Sequence, residues 1–334
     1  MHAPPPRRTL AALLGLLIAV AAVGSASAAA PKIVDIVGYS TLKAVYAAQI
    51  AAFTKTAAGR GVVFRQSYGA SGAQATAVAM GQSADIVNLS LDPDMERLVA
   101  AGLVSPDYSR SAYHGYVTDS LVVFVVRKGN PRHIRTWQDL VRPGVGVLIP
   151  NPFLSGAARW DVMAAYGAAL ARGKTPAQAK AFLAQLYGHV VAQDASGASA
   201  MSDFLGGRGD VLVTYENEAI AAKAAGEPVS YVIPPQTIEI QAPIALVRAS
   251  RNSAPARAFL AFLLSRQGQA IFARYGYRPV VPSVLSQYKA RFPTPQRLFY
   301  IAAVGGWTQA MKTFFAPGSG VMAKIEASSG GAAR

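Results

Sequence analysis

The sequence predicts an α/β fold with mainly parallel sheets, and three observations carry the prediction. Short apolar runs of strand length alternate with alanine-rich stretches of helical spacing along most of the 334 residues. The run at 121–126 is apolar throughout and mostly β-branched, as a strand buried on both faces requires. The handovers from strand to helix repeat one composition, small residues with a serine or glycine at the expected cap.

Taken in order, residues 32–37 form the first strand. The helix after it carries Leu42, Val45, Tyr46, Ile50 and Phe53 at i, i+3, i+4 spacing and ends by Gly59. Ser40 or Thr41 is its expected cap. Residues 61–66 form the second strand, and the segment from Ser67 to Gly72 delivers a short helix, 73–80, capped by Ser71. The third strand is 85–89, after which Asp92-Pro93-Asp94 opens a helix with an acidic first turn. Lys128-Gly129-Asn130-Pro131 turns the chain after strand 121–126. Strand 145–149 breaks at two prolines and hands over through Ser155-Gly156-Ala157 to a helix reaching about Ala171. A helix after Pro176, a strand at 190–193 and a small-residue junction at 194–199 lead to a helix ending at Leu205. Further strands are expected at 210–214, 231–233 and 243–247, the first with its exit at Tyr215-Glu216-Asn217-Glu218. The proline-rich tail after Gly276 reads as irregular wrapping, with a frayed end beyond Ala316.

Four junctions, at Ser40, Ser71, Ser155 and Gly197, therefore share one design. The first turn of a helix carries N–H groups without intrahelical partners, and the helix dipole adds positive potential there. Such ends attract anions. The 155–157 junction is the strongest, because Gly156 and Ala157 let an oxyanion approach the N–H groups closely. In open α/β sheets, ligands bind outside the carboxyl ends of the strands. Two junctions come from the first third of the chain and two from the middle, as a cleft between two lobes requires.

Composition narrows the compartment and the partners. Arg7-Arg8, an apolar run at 10–23 and Ser25-Ala26-Ser27-Ala28 read as a cleaved signal peptide over residues 1–30. There is no cysteine, which excludes disulfides and a lipid-modified N-terminal cysteine. The formal charge of +15 falls to about +13 without Arg7 and Arg8, and a field of that sign steers small anions inward. The basic residues are scattered, with no aromatic-laced stripe, so no nucleic-acid partner is expected.

Enzyme signatures fail one by one. His114, His133 and His189 lack metal-ligand spacing. Gly69-Ala70-Ser71-Gly72-Ala73 is not a nucleophile elbow, because its second glycine comes one position early. Glu216 and Glu218 fall on a strand exit and are not expected to work as a catalytic carboxylate pair. No phosphate-binding P-loop occurs. No metal or other cofactor is expected, and a periplasmic hydrolase is the weakest alternative.

Four stretches carry a family resemblance: RQSYGASGAQATAV (65–78), VVFVVRKGNPRHIRTWQDLVRPGVGVLIPNPFLSGAARWDVMAAYGAAL (122–170), GDVLVTYENEA (209–219) and YGYRP (275–279). With KGNP, PNP-x-x-SG-x-AR and GDVL…ENE in that order, the chain resembles the bacterial periplasmic sulfate-binding proteins and their thiosulfate-binding relatives. These are the receptors of ABC importers, and the likeness runs from about Ile33 to Phe315.

The resemblance implies a two-lobed periplasmic binding protein fold, each lobe a mainly parallel sheet flanked by helices, with the ligand in the cleft. The implied division is 31–118 for lobe 1, 119–240 for lobe 2, and 241–334 for the return into lobe 1 plus the tail. It implies a dehydrated sulfate held by the N–H groups of Ser40, Ser71, Gly156, Ala157 and Gly197 and by the Ser155 hydroxyl, with Tyr215 closing the pocket. Thiosulfate is the close alternative and molybdate-type oxyanions the third. A membrane permease and its ATPase are the implied partners, and the receptor is expected to be a monomer. A free-standing anion sensor is the alternative of a different class.

Three departures stand out. Ser40 replaces the family's aspartate, Ala157 its second glycine, and Tyr215 its tryptophan. Arg159 is expected outside the direct ligand set, and Asp194 and Glu216 are expected to orient loop N–H groups.

Overall fold

The computed structural model describes residues 1–3, 32–250 and 252–328, so residues 4–30 of the expected signal peptide lie outside the described residues. β1 (Lys32–Tyr39) passes through a 3-10 turn (Ser40–Leu42) into α1 (Lys43–Phe53), β2 (Val62–Gly69) into α2 (Ser71–Ala79), and β3 (Ile86–Asn88) into α3 (Asp92–Ala100). The long β4 (Tyr116–Arg127) follows, then β5 (Val147–Leu148), α4 (Gly156–Ala171), α5 (Pro176–Tyr187), β6 (Val190–Ala192) and α6 (Gly197–Leu205). Next come β7 (Val211–Tyr215), α7 (Glu216–Ala224), β8 (Val229–Val232) and the long β9 (Gln236–Leu246). The chain ends with α8 (Ser253–Leu263), α9 (Arg266–Arg274), β10 (Arg278–Pro279), α10 (Pro282–Gln287), β11 (Arg297–Phe299), α11 (Gly306–Phe314) and α12 (Val321–Ser328).

The main strand order is β2-β1-β3-β9-β4-β7-β5-β6. β1 runs parallel to β2 and β3, and β5 runs parallel to β6 and β7, each group joined by helical crossovers as the alternating pattern predicts. The antiparallel pairings come from β4 and β9, which join the two groups. β9 pairs with β3 through Ile244–Leu246 and with β4 through 239–243; β4 continues to β7 through 122–126. Both strands outrun their sequence signals, because their outer halves carry Thr118, Asp119, Gln236, Thr237 and Glu239 instead of an apolar run.

α4 is buried along almost its whole length, from Gly156 to Ala169. Its small side chains allow this. A Cβ on Gly167 would sit 2.3 Å from the Phe299 ring, so only glycine admits that ring. The C-terminal segment closes over the same helix, with Trp307 edge-on to Trp160 at 4.6 Å and Phe314 against Tyr166 at 4.7 Å. The tail is thus helical at α11 and α12, where irregular wrapping and fraying were expected. Aromatic burial on α4 outweighs the turn-forming Gly and Ser around it.

Candidate functional site

Ser40, Ser71, Gly156 and Gly197 occupy equivalent places, each the first helical residue of its element. The first backbone N–H of a helix has no acceptor within it. Ser155 is the N-cap of α4 as expected, but the caps at the other serines stand one residue earlier, at Tyr39 and Ala70. Tyr39 keeps the extended backbone of β1 and Ala70, just past β2, is non-helical, so Ser40 and Ser71 already lie inside the helical turn. Before Gly197, Ser196 forms a capping box with Ser199.

Two of these junctions, at Ser71 and Gly156, meet at Ser90, which follows β3, and Tyr215 reaches the same residue. The Ser71 hydroxyl accepts the Ser90 N–H at 2.9 Å, and the Ser90 and Tyr215 hydroxyls are 2.6 Å apart. Trp160 Nε1 donates to the Ser90 carbonyl at 2.8 Å. α4 begins so close to this segment that a Cβ on Gly156 would lie 2.3 Å from Leu91 Cδ2 and 2.8 Å from Ser90 Cβ. The Tyr215 ring meets Tyr39, the neighbour of Ser40, edge-on at 6.3 Å. Gly197 lies against Glu218, whose Oε2 would be 2.9 Å from a Cβ at that position. Beside them runs a groove of about 480 Å³ whose lining includes Ser40, Ala198, Asn217, Glu218 and Tyr277.

Ser155 and Ala157 are buried at the start of α4, and the Ser155 hydroxyl makes no capping bond. Ser90 escapes sequence reasoning because Asp92-Pro93 dominates that junction as a helix start. The available signal was a fifth small residue, a serine, just past the end of a predicted strand.

The charged neighbours are paired with one another. Arg159 binds Asp94 Oδ1 at 3.2 Å and the Pro152 carbonyl at 3.0 Å, tying α4 to α3. Glu216 is fully buried in a two-point ion pair with Arg278, at 2.6 and 3.0 Å. Both of its oxygens are thus spent on Arg278 and not on the loop N–H groups that the sequence led us to expect. Asp194 Oδ2 is buried without a partner. Glu216 and Glu218 stand in the first turn of α7 and not on a strand exit; the two carboxylates favour that helix start.

Glu218 accepts the Thr214 hydroxyl, and burial pushes its carboxyl up to about 7. Burial, with Glu218 nearby, likewise holds the Asp161 carboxyl well above the usual range. Burial raises the Tyr215 hydroxyl above its ordinary value, which keeps it protonated and able to donate. Among the described residues, no group of three or more His, Asp or Glu side chains could hold a metal ion.

Helix starts at small residues, neutral hydroxyls and self-paired charges fit a receptor for a small polar solute, and the comparisons agree. The chain belongs to the bacterial extracellular solute-binding protein family, whose model matches residues 34–278. It is 40% identical over 299 residues to the sulfate-binding protein of Synechococcus elongatus, covering 86% of this chain and 85% of that one. It is 34% identical over 315 residues to the thiosulfate-binding protein of Pseudomonas aeruginosa, covering 91% and 95%. The solved sulfate-binding protein SubI from Mycobacterium tuberculosis superposes with a TM-score of 0.81 at 42% identity, covering 84% of this chain and 98% of that one.

Proposed function

We propose that this protein is a receptor that captures sulfate as a dehydrated dianion and delivers it to an ABC importer. The carrying observation is that the polar groups around Ser90 are neutral N–H and O–H groups, while the buried arginines Arg159 and Arg278 are each spent on a carboxylate. A fully ionised sulfate can only accept hydrogen bonds, and such a site offers donors. In this reading the ligand rests on the N–H groups of Ser40, Ser71, Gly156, Ala157 and Gly197 and on the Ser155 hydroxyl, under Tyr215. About six charge-assisted bonds total on the order of 10–15 kcal/mol, less dehydration and ordering. That leaves room for a micromolar or tighter site, about −8 kcal/mol.

The relatives' names favour sulfate, with thiosulfate as the second reading because a thiosulfate-binding relative matches over nearly its full length. The protein acts as a monomeric binder rather than an enzyme. It works in the periplasm after removal of residues 1–30, with a permease and ATPase as partners. The lobes divide at 118/119 and 240/241, inside the β4–β9 pair, and close on the ligand by bending there. Equilibrium dialysis of the purified mature protein against radiolabelled sulfate tests the reading. About one sulfate per chain, displaced by thiosulfate and not by phosphate, is expected; no retained sulfate would overturn it.

A further inference from the structure

β4 and β9 carry a carboxyl pair where they join the two strand groups. Asp119 lies opposite Gln241, and Glu239 opposite Leu121, so Asp119 and Glu239 occupy diagonal positions on one face of the antiparallel pair. Diagonal neighbours on one face are within reach of each other's side chains. On the other side, β10 places Arg278 directly opposite Asp119. That guanidinium is already engaged at two points by Glu216 of α7 and donates again to the Pro293 carbonyl at 2.8 Å. Asp119 Oδ1 is buried with no hydrogen-bond partner. Two carboxyl groups thus share one face in a half-buried place beside an arginine that is committed elsewhere, and like charges so placed cannot both ionise freely.

We propose that Asp119 and Glu239 share a proton and clasp β4 to β9, so that the hinge holds the closed arrangement while the proton is present and loosens when it leaves. Burial, then the Glu239 carboxylate, keep the Asp119 carboxyl well above the usual carboxylate range. The groups facing the pair are few. Tyr300, after β11, faces Glu239; Tyr116 faces Asp119 from β4; Arg278 faces it from β10, with Glu216 of α7 behind it; and Gln241 is the uncharged neighbour on β9. The sign follows from these surroundings. The folded, closed protein holds a proton that the unfolded chain releases at the ordinary carboxylate value, so stability falls as pH rises through the window between the two. If the pair parts when the lobes open, sulfate affinity falls over the same window, tenfold for each pH unit by which closure raises the pair.

The binding half of this inference rests on the sulfate-receptor reading; the stability half does not. The test is thermal unfolding and calorimetric sulfate titration of the mature protein from about pH 5 to about pH 9. Wild type, Asp119→Asn and Glu218→Gln are compared, each titrated in two buffers of different ionisation enthalpy to count protons. The expected result is that wild-type affinity falls toward alkaline pH with proton uptake on binding. Asp119→Asn, whose amide donates to Glu239 at every pH, is expected to flatten the affinity profile and to gain melting temperature relative to wild type as pH rises.

A wild-type affinity independent of pH overturns the hinge coupling. An Asp119→Asn profile parallel to wild type in both readouts overturns the shared proton, and a profile flattened by Glu218→Gln alone assigns the proton to Glu218 instead. Absence of sulfate binding at every pH would refute the receptor reading, while the unfolding series would still decide on the clasp.

Discussion

Replacing Gly156 with alanine puts a methyl group 2.3 Å from Leu91 Cδ2 and 2.8 Å from Ser90 Cβ and Oγ, at the narrowest contact between α4 and the segment after β3. The backbone on one side belongs to a helix start held by Trp160 and Arg159. On the other, Ser90 is pinned by Ser71, Tyr215 and Trp160, so neither side yields easily. Overpacking of this kind costs about 1–3 kcal/mol. If α4 and Ser90 meet only when the lobes close, the whole cost falls on the closed, liganded state. Sulfate affinity then drops about 5- to 150-fold, while the ligand-free protein melts as the wild type does. Calorimetric titration with sulfate and thermal unfolding without it measure the two quantities on one preparation. Unchanged affinity would refute the close approach itself. Equal destabilisation of the ligand-free protein would refute its coupling to closure.

Ser155→Ala removes one donor from a buried anion and is expected to weaken sulfate binding by about 1–3 kcal/mol; unchanged affinity by calorimetry would remove Ser155 from the site. Tyr215→Phe leaves the Ser90 hydroxyl without its 2.6 Å partner, and a loss of about 1–2 kcal/mol in sulfate affinity is expected in the same assay. Arg278→Met strands the fully buried Glu216 carboxylate and should cost about 3–5 kcal/mol in urea unfolding, with much of it restored by adding Glu216→Gln. The Glu218 carboxyl, raised to about 7 by burial, makes the folded protein hold a proton that the unfolded chain loses from its ordinary 4.5 upward. Wild-type stability is expected to fall by about 3 kcal/mol across that window, a component absent from Glu218→Gln in pH-resolved denaturant unfolding.

The outer, parallel halves of the sheet were legible because their strands are apolar runs ending at small-residue helix starts, with Ser155 placed correctly as a cap. The central β4–β9 pair was legible only in part. Its polar half, with Asp119, Gln236, Thr237 and Glu239, takes its strand conformation from partners far away in sequence. Glu216 and Glu218 were read onto a strand exit because Tyr215 continues the β7 pattern, although two glutamates are also a favourable first helical turn. Ser90 was invisible for a third reason. Its role comes from Ser71, Trp160 and Tyr215, which lie 19, 70 and 125 positions away. The same distance effect hid the fate of Arg278, read only as part of a family motif and found paired with Glu216, 62 positions off.

The central claim, that an oxyanion rests on converging helix starts beneath Tyr215, is tested most directly by a crystal structure of the mature protein grown with selenate, a sulfate isostere whose selenium can be located by anomalous scattering. The account predicts one strong peak within hydrogen-bonding distance of the Ser155 hydroxyl and of the backbone N–H groups of Ser71, Gly156, Ala157 and Gly197, with no arginine touching it. A peak on Arg159 or Arg278, or an occupied site anywhere away from these helix starts, would contradict it.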